Sequence, residues 1–401
     1  MNQSLHDAWI VAATRTPVGK APKGILHATR PDDLLAHVLR AVTSQAPSID
    51  LKQIDDAIIG CAMPEAEQGI NVARVGVLLA GLPESIAAQT VNRFCASGLQ
   101  AVALAANEIR LGQADLILAG GVESMSMVPM MGNKIAINPR IFTDEHKAIA
   151  YGMGLTAENV AQQWAISRED QDMFALASHQ KALAAIREGQ FKDEISPFTI
   201  TKYLPQLDNG TIQAQTQCVA MDEGPRPDTS LEKLAKLRPV FRNGLTGGSV
   251  TAGNSSQISD GAAALLLASE KAINDYELTP LARLVSFAVA GVRPEIMGIG
   301  PLAAIPKALK RAGLRIEDMD WIELNEAFAA QALAVIRDGA LDTSKINPLG
   351  GAIALGHPLG ATGAIRTTTL AHGLRRHKKR YGMVTMCIGT GMGAAAIFES
   401  A

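Results

Sequence analysis

Four residues of this 401-residue chain have the types and settings that could do covalent and proton-transfer chemistry. Cys95 lies in Phe94-Cys95-Ala96-Ser97-Gly98, where a strand-like run gives way to a helical one. A thiol at such a turn faces a helix dipole and free amides, which lower its pKa and favour the nucleophilic thiolate. Its other reading is a small buried hydrophobe. His357 sits in Gly350-Gly351-Ala352-Ile353-Ala354-Leu355-Gly356-His357-Pro358-Leu359-Gly360-Ala361-Thr362-Gly363, where glycines would let the backbone approach a ligand closely. Neither G-x-x-x-x-G-K nor G-x-G-x-x-G occurs there, so a phosphate cradle is disfavoured. Asn325, in Asn325-Glu326-Ala327-Phe328, ends a strand and begins a helix. That places an amide either at the carboxyl end of a sheet, where α/β ligand sites collect, or in a helix cap. Cys387, in Cys387-Ile388-Gly389-Thr390-Gly391, reads by itself as a core cysteine next to exposed amides.

The elements that must position these groups follow from periodicity. Residues 7–13 are an apolar run of strand length, and Pro31-Asp32-Asp33 opens a helix with apolar positions at Leu34, Leu35, Val38, Leu39 and Val42. Strand patterns at 57–60, 87–94 and 114–121, with a helix over 99–111 stopped by Gly112, give a βαβαβ order. From Glu123 the texture changes. Met125, Met127, Met130 and Met131 crowd a Pro- and Gly-containing stretch, a helix N-capped by Ser167 runs to Gly189, and residues 200–247 read as polar, Pro-rich loop. The chain ends then repeat each other at an offset of about 262 to 268 residues: 53–60 with 318–325, 95–98 with 357–360, and 114–121 with 381–389. The expected architecture is an α/β fold of duplicated halves. An N-terminal half is formed by 1–122 plus 248–275, a loop or lid domain is inserted at 123–247, and a C-terminal half covers 276–401. Cys95 and His357 then open equivalent helices where the halves meet.

Composition excludes several function classes. Lys plus Arg number 37 against 39 Asp plus Glu, for a net charge of −2, and charged residues are only 19%, which argues against nucleic-acid and polybasic membrane-surface binding. Cys61, Cys95, Cys218 and Cys387 form no C-x-x-C pair, so neither a metal site nor a disulfide framework is implied and a reducing compartment is expected. The uncharged stretches 346–365 and 381–398 are long enough to span a bilayer, but their glycines and prolines favour buried strand, turn and following element. The basic run 375–380 reads as a solvated helix end. Residues 1–10 contain Asp7 and no apolar core, and 398–401 are not an S-K-L tail, so the cytoplasm is the expected location.

The motifs as a set resemble the thiolases, most closely the degradative 3-ketoacyl-CoA thiolases (acetyl-CoA C-acyltransferases), over nearly the whole chain. The resemblance rests on 91–101 (VNRFCASGLQA), 121–126 (GVESMS), 156–159 (TAEN), 248–254 (GSVTAGN), 325–328 (NEAF), the His357 and Cys387 loops, and Arg15-Thr16-Pro17 followed by Gly19-Lys20. It implies a layered αβαβα arrangement and reversible, CoA-dependent thiolysis of 3-ketoacyl-CoA through an acyl-cysteine. Cys95 is then the nucleophile and His357 its base. His357, with a water held by Asn325, also stabilises a thioester enolate. The amides of Cys95 and Gly389 form a second oxyanion hole, and Cys387 is the acid/base at the acetyl methyl. Arg226 is implied near the CoA nucleotide, Ser256 near the pantetheine, and Met153 and Phe328 around the acyl end. CoA enters as a substrate, with no cofactor and no metal. A homodimer or homotetramer, and a hydratase/dehydrogenase partner, belong to the same implication.

Ala96, where many members carry Ser or Gly, is the one departure in the nucleophile motif. The alternative within the family is a biosynthetic acetoacetyl-CoA thiolase. A cysteine hydrolase would have no use for a second active-site cysteine, and a decarboxylating ketoacyl synthase would use two histidines. A non-catalytic acyl-CoA carrier would not need the four groups together.

Overall fold

The computed structural model describes residues 6–206, 208, 210–241 and 247–401. The chain begins β1 (Ala8–Arg15), β2 (Gly19–Lys20), α1 (Pro31–Ser44), β3 (Asp56–Gly60), α2 (Val72–Leu79), β4 (Ala87–Val91), α3 (Ser97–Arg110) and β5 (Leu116–Ser124). There follow α4 (Met153–Gln163), α5 (Arg168–Arg187), β6 (Phe198–Gln206), β7 (Thr211–Val219) and α6 (Leu231–Ala235). The remainder is β8 (Ser259–Ser269), α7 (Glu270–Tyr276), β9 (Ala282–Gly291), α8 (Gly300–Ala312), β10 (Trp321–Leu324), α9 (Ala329–Asp338), α10 (Ala352–Leu355), α11 (Leu359–Arg376), β11 (Tyr381–Ile388) and β12 (Met392–Ser400).

The duplication is written in the strand order. One half runs β4-β3-β5-β8-β1 and the other β10-β11-β12-β9. In each, the first strand to follow the αβ crossover pairs parallel (β3 with β5, β10 with β11), and the next pairings are antiparallel. The counterpart of β4 shrinks to one parallel bridge, Ile322 to Ile346. Only two residue pairs, Trp9 with Arg283 and Ile10 with Ala282, join the halves along β1 and β9.

The layers follow from alternation. On β5, Leu116, Leu118 and Val122 pack outward with the apolar faces of α1 and α2, while Ile117 and Ala119 pack inward with α3 and α11. On β12, Ala394, Ala396 and Phe398 face α3 and α11, and Ala395 and Ile397 face α8 and α9. Strands covered on both sides read as continuous apolar runs, which is why β8 is Ser-Asp-Gly followed by Ala and Leu alone before its final Ala-Ser. The order of layers is helix, sheet, helix pair, sheet, helix. Local signals hold where expected. Pro31 opens α1 with Asp32 and Asp33 in the first turn, and Ser167 accepts Asp170 N–H at 3.0 Å to cap α5.

Two expectations are corrected. Residues 200–247 are not all loop, because β6 and β7 form an antiparallel hairpin and α6 follows. Their strand period is invisible in the sequence because nearly every residue is exposed, only Ile200 and Val219 being buried. Positions 207, 209 and 242–246 of that expected loop lie outside the described residues. The stretch 346–365 contributes two isolated bridge residues, Ile346 and His357, with α10 between them and the start of α11 after them, not a strand, whereas 381–398 is strand, turn and strand. Among the described residues no helix is long and apolar enough to cross a membrane. The basic run does end a helix, with Arg375 and Arg376 in the last turn of α11.

Candidate active site

The turn before α3 is built by short polar ties. Asn92 Oδ1 accepts Phe94 N–H at 2.8 Å, and Ser97 Oγ accepts Arg93 N–H at 2.8 Å while donating to the Phe94 carbonyl at 2.7 Å. They hold Phe94 at φ +44°, a left-handed conformation that costs free energy for an aromatic residue. This kink delivers Cys95 to the helix start, where the backbone amides of Gly389 and of Cys95 itself act to lower its thiol pKa. The expected depression of its pKa does not occur. Burial pushes the Cys95 thiol up to about 11, against the two amides that lower it. At rest the group is a thiol, and attack requires a base.

His357 lies at the equivalent start of α11. Its backbone N–H reaches Ser259 Oγ at 3.1 Å and the Gln257 carbonyl at 3.2 Å, and Nδ1 is 2.6 Å from Thr362 Oγ1. Thr362 already donates its only proton to the Pro358 carbonyl at 2.9 Å. The hydroxyl therefore accepts from Nδ1–H, which leaves Nε2 as a bare lone pair; the tautomer is assigned from this network. Asn325 Nδ2 donates to Nε2 at 3.3 Å. Burial, then the positive charge of Arg366, lowers the His357 pKa to about 3. A neutral imidazole with a free Nε2 is a proton acceptor. Asn325 Oδ1 is buried and has no hydrogen-bond partner among the described residues, an orphan acceptor beside that imidazole.

The two helix starts touch. A Cβ on Gly98 would lie 2.7 Å from Ala364 N, and one on Gly363 would lie 2.2 Å from Leu99 N, so only glycine permits this approach of α3 to α11. The glycines of the His357 loop were expected to admit a ligand. Instead Gly351 lies against the Glu326 carboxylate, Gly360 against Glu123 and Gly363 against Leu99, so protein fills those approaches.

Cys387, at the end of β11, is fully buried in one apolar cluster with Ala327, Phe328 and Met153. Burial, with Cys95 beside it, pushes its thiol pKa up. A Cβ on Gly389 would stand 3.7 Å from Met153 Sδ and from the Phe94 ring. Cys95, Cys387, Gly389, Met153 and Phe328 thus converge, and His357 and Asn325 pair beside them. Arg226 stands apart and exposed. It lines a cavity of about 180 Å³ with His179, Lys233 and Gln257, its N–H reaching His179 Nδ1 at 3.2 Å. Gln257 Nε2 ties this segment to the Gly224 carbonyl at 3.1 Å, and the adjacent, half-buried Ser256 donates its N–H to the Ala327 carbonyl at 2.9 Å. Among the described residues no three His, Cys, Asp or Glu side chains converge as a metal would require.

The sequence reading assigns no role to Thr362, Glu123 or Glu158. Glu158, in TAEN, accepts Ser249 N–H at 3.0 Å and Val250 N–H at 2.9 Å, so one motif holds another, GSVTAGN, in place. A charged residue at the end of an otherwise apolar run is the signal that marks Glu123, whereas Glu158 stands among polar neighbours and has no such signal.

A duplicated α/β body with a thiol and a neutral imidazole at paired helix starts is the form of the thiolases. The thiolase N-terminal domain model matches residues 8–271 and the thiolase C-terminal domain model residues 278–400; the chain belongs to the thiolase family. It is 52% identical over 396 residues, 98% of this chain and all of the relative, to 3-ketoacyl-CoA thiolase of Bacillus subtilis (strain 168). Among solved structures it superposes on human mitochondrial 3-ketoacyl-CoA thiolase with TM-score 0.87 and 40% identity, covering all of both chains. It also superposes on Bacillus anthracis acetyl-CoA acetyltransferase, with TM-score 0.88 and 38% identity, covering 99% of this chain and all of that one.

Proposed function

We infer that the protein is an acetyl-CoA C-acyltransferase that cleaves 3-ketoacyl-CoA with CoA to give acetyl-CoA and a shortened acyl-CoA, reversibly. The observation that carries this reading is the convergence of two buried thiols, Cys95 and Cys387, beside the Gly389 turn. One thiol holds the acyl group and the other moves a proton, a division that a hydrolase does not need.

His357 Nε2 takes the Cys95 proton as sulfur attacks the keto carbon. The amides of Cys95 and Gly389 stabilise the oxyanion. As the C2–C3 bond breaks, the enolate oxygen of the leaving acetyl-CoA is met by His357, now protonated, and by a water held at Asn325. Cys387 donates its proton to C2. In the second half-reaction CoA returns a proton to Cys387 and attacks the acyl-cysteine, and His357 reprotonates the departing Cys95. Arg226 and Ser256 bind CoA, and Met153 and Phe328 line the acyl end. CoA is a substrate, and these steps call on no resident cofactor.

Gly152 supports a preference for chains longer than acetoacetyl, since among the described residues a Cβ there would meet nothing within 4 Å, next to Met153. A hydratase/dehydrogenase partner would supply such substrates. The free edge of β4, half-exposed, with Leu78 and Leu79 exposed on the neighbouring α2, suits pairing with a second copy in a homodimer or homotetramer. Two catalytic thiols that must stay reduced favour the cytoplasm. Treatment with acetyl-CoA followed by mass spectrometry tests the reading. The acetyl group should be on Cys95, with Cys95→Ala losing both adduct and thiolysis, and an adduct solely on Cys387 refutes the assignment.

A further inference from the structure

We propose that Glu123 is a positioning residue whose carboxylate braces the turn carrying Cys95 against the helix start carrying His357, and so sets the distance from thiol to imidazole. This rests on the function proposed above.

Glu123 is completely buried at the inner end of β5. Its Oε2 accepts Ala62 N–H at 2.8 Å and Gly360 N–H at 2.7 Å, and its Oε1 accepts Gln68 Nε2 at 2.7 Å and Met63 N–H at 3.3 Å. The Cys61 thiol stands at 4.0 Å. Every one of these neighbours donates, so the surroundings are those of an anion although burial raises its pKa. Gln68 is itself fixed, since its Oε1 accepts Ser124 N–H.

From Oε2 two short paths lead to the two reacting groups. The Ala62 carbonyl accepts Asn92 Nδ2 at 3.0 Å, and Asn92 Oδ1 accepts Phe94 N–H at 2.8 Å, next to Cys95. Gly360, the other donor to Oε2, is three residues beyond His357 in the first turn of α11. One oxygen thus joins the two halves of the duplicated fold at their reacting ends. The fit is close, because a Cβ on Gly360 would come within 2.7 Å of that oxygen.

Replacing the carboxylate by an amide leaves one acceptor where there were two. Either the Ala62 and Gly360 amides, or Gln68 and Met63, would then face an NH₂ group. The negative charge also raises the Cys95 pKa, after the larger effect of burial. Its removal should make Cys95 easier to ionise while turnover falls, whereas a general loosening of the site lowers both.

The test uses the full chain with Glu123→Gln and Glu123→Asp, reading thiolysis kinetics, thermal midpoint, and the rate of iodoacetamide alkylation of the Cys95 peptide by mass spectrometry. Glu123→Gln is expected to lower kcat by about 10²-fold with KM within about threefold, the cost of a misplaced reacting pair. It should raise the Cys95 alkylation rate at pH 9 by about threefold or more. Glu123→Asp keeps the charge but loses the reach to Gly360, so kcat falls and alkylation keeps its wild-type pH dependence; it carries the test if the glutamine variant does not fold. A folded variant of either kind with kcat within about threefold of wild type overturns the brace, as does a parallel fall in turnover and alkylation. A wild-type protein that neither thiolyses 3-ketoacyl-CoA nor acylates Cys95 overturns the function and not the brace.

Discussion

Thr362→Val is the substitution that most directly probes His357 as the proposed base, because it removes one oxygen and keeps the shape. In the native site Thr362 Oγ1 accepts Nδ1–H of His357 at 2.6 Å and passes its own proton to the Pro358 carbonyl at 2.9 Å. Valine leaves Nδ1–H buried without an acceptor, at a cost of about 1–3 kcal/mol. The competing tautomer, with hydrogen on Nε2, escapes that cost. Asn325 can turn its amide so that Oδ1, without a partner among the described residues, accepts the Nε2 hydrogen. At about 1.4 kcal/mol per tenfold, the productive tautomer falls by roughly 5- to 150-fold, and kcat for thiolysis should fall with it. KM should hold, since Thr362 is buried and is not among the residues proposed to bind CoA. Thr362→Ser keeps the hydroxyl and should stay within about threefold of wild type. Steady-state thiolysis of 3-oxooctanoyl-CoA, with a thermal melt to establish folding, measures both variants. A folded Thr362→Val enzyme with wild-type kcat would refute the tautomer assignment and with it Nε2 as the base.

Cys387→Ser should still be acetylated at Cys95 but lose thiolysis and condensation by about 10²-fold or more, the range for a positioned acid/base; equal loss of acylation and turnover would contradict the division of labour. The folded-state pKa of His357, about 3 against 6.5 unfolded, means that stability is lost as pH falls below about 6.5, because only the unfolded chain takes up the proton. Between pH 7.5 and 5 that amounts to about 2 kcal/mol, so urea denaturation of His357→Gln should show that much less destabilisation than wild type over the same interval. Gly152→His places a side chain next to Met153 and should shift preference toward acetoacetyl-CoA. Each of the four extra methylenes of 3-oxooctanoyl-CoA contributes up to about 0.8 kcal/mol when fully buried, and an unchanged ratio of kcat/KM values for the two substrates would remove Gly152 from the specificity argument.

What the sequence made legible was local. The repeat could be found because β3 with β10, the starts of α3 and α11, and β5 with β11 each keep a pattern of a few adjacent residues, and the strand order bears out the duplicated α/β halves. The hairpin of β6 and β7 was hidden because a strand exposed on both faces has no hydrophobic period. The orienting groups were hidden for a different reason. Thr362 is in a quoted motif, but its use depends on a helical turn that brings its hydroxyl to the imidazole five residues back and to the carbonyl four back. Glu123 belongs to one half and holds Gly360 of the other, a relation with no trace in either motif read alone.

The state of Cys95 departs from the expectation of a lowered pKa for a general reason. A helix start and two amides do lower a thiol pKa, but their effect is set against desolvation, and burial depends on what the rest of the chain piles onto the site. Here Ala62, Met125 and Leu359 close over the sulfur, and desolvation wins, leaving the thiol near 11 beside an imidazole near 3. Two neutral groups so far apart in pKa do not form an ion pair at rest, so the proton must move as the sulfur bonds to carbon. In the proposed step the amides of Cys95 and Gly389 then serve the new oxyanion, while the imidazolium gains an Nε2–H beside Asn325. On the proposed mechanism the dry environment that makes the resting thiol unreactive strengthens each of those contacts once charge appears, which ties reactivity to the presence of a thioester.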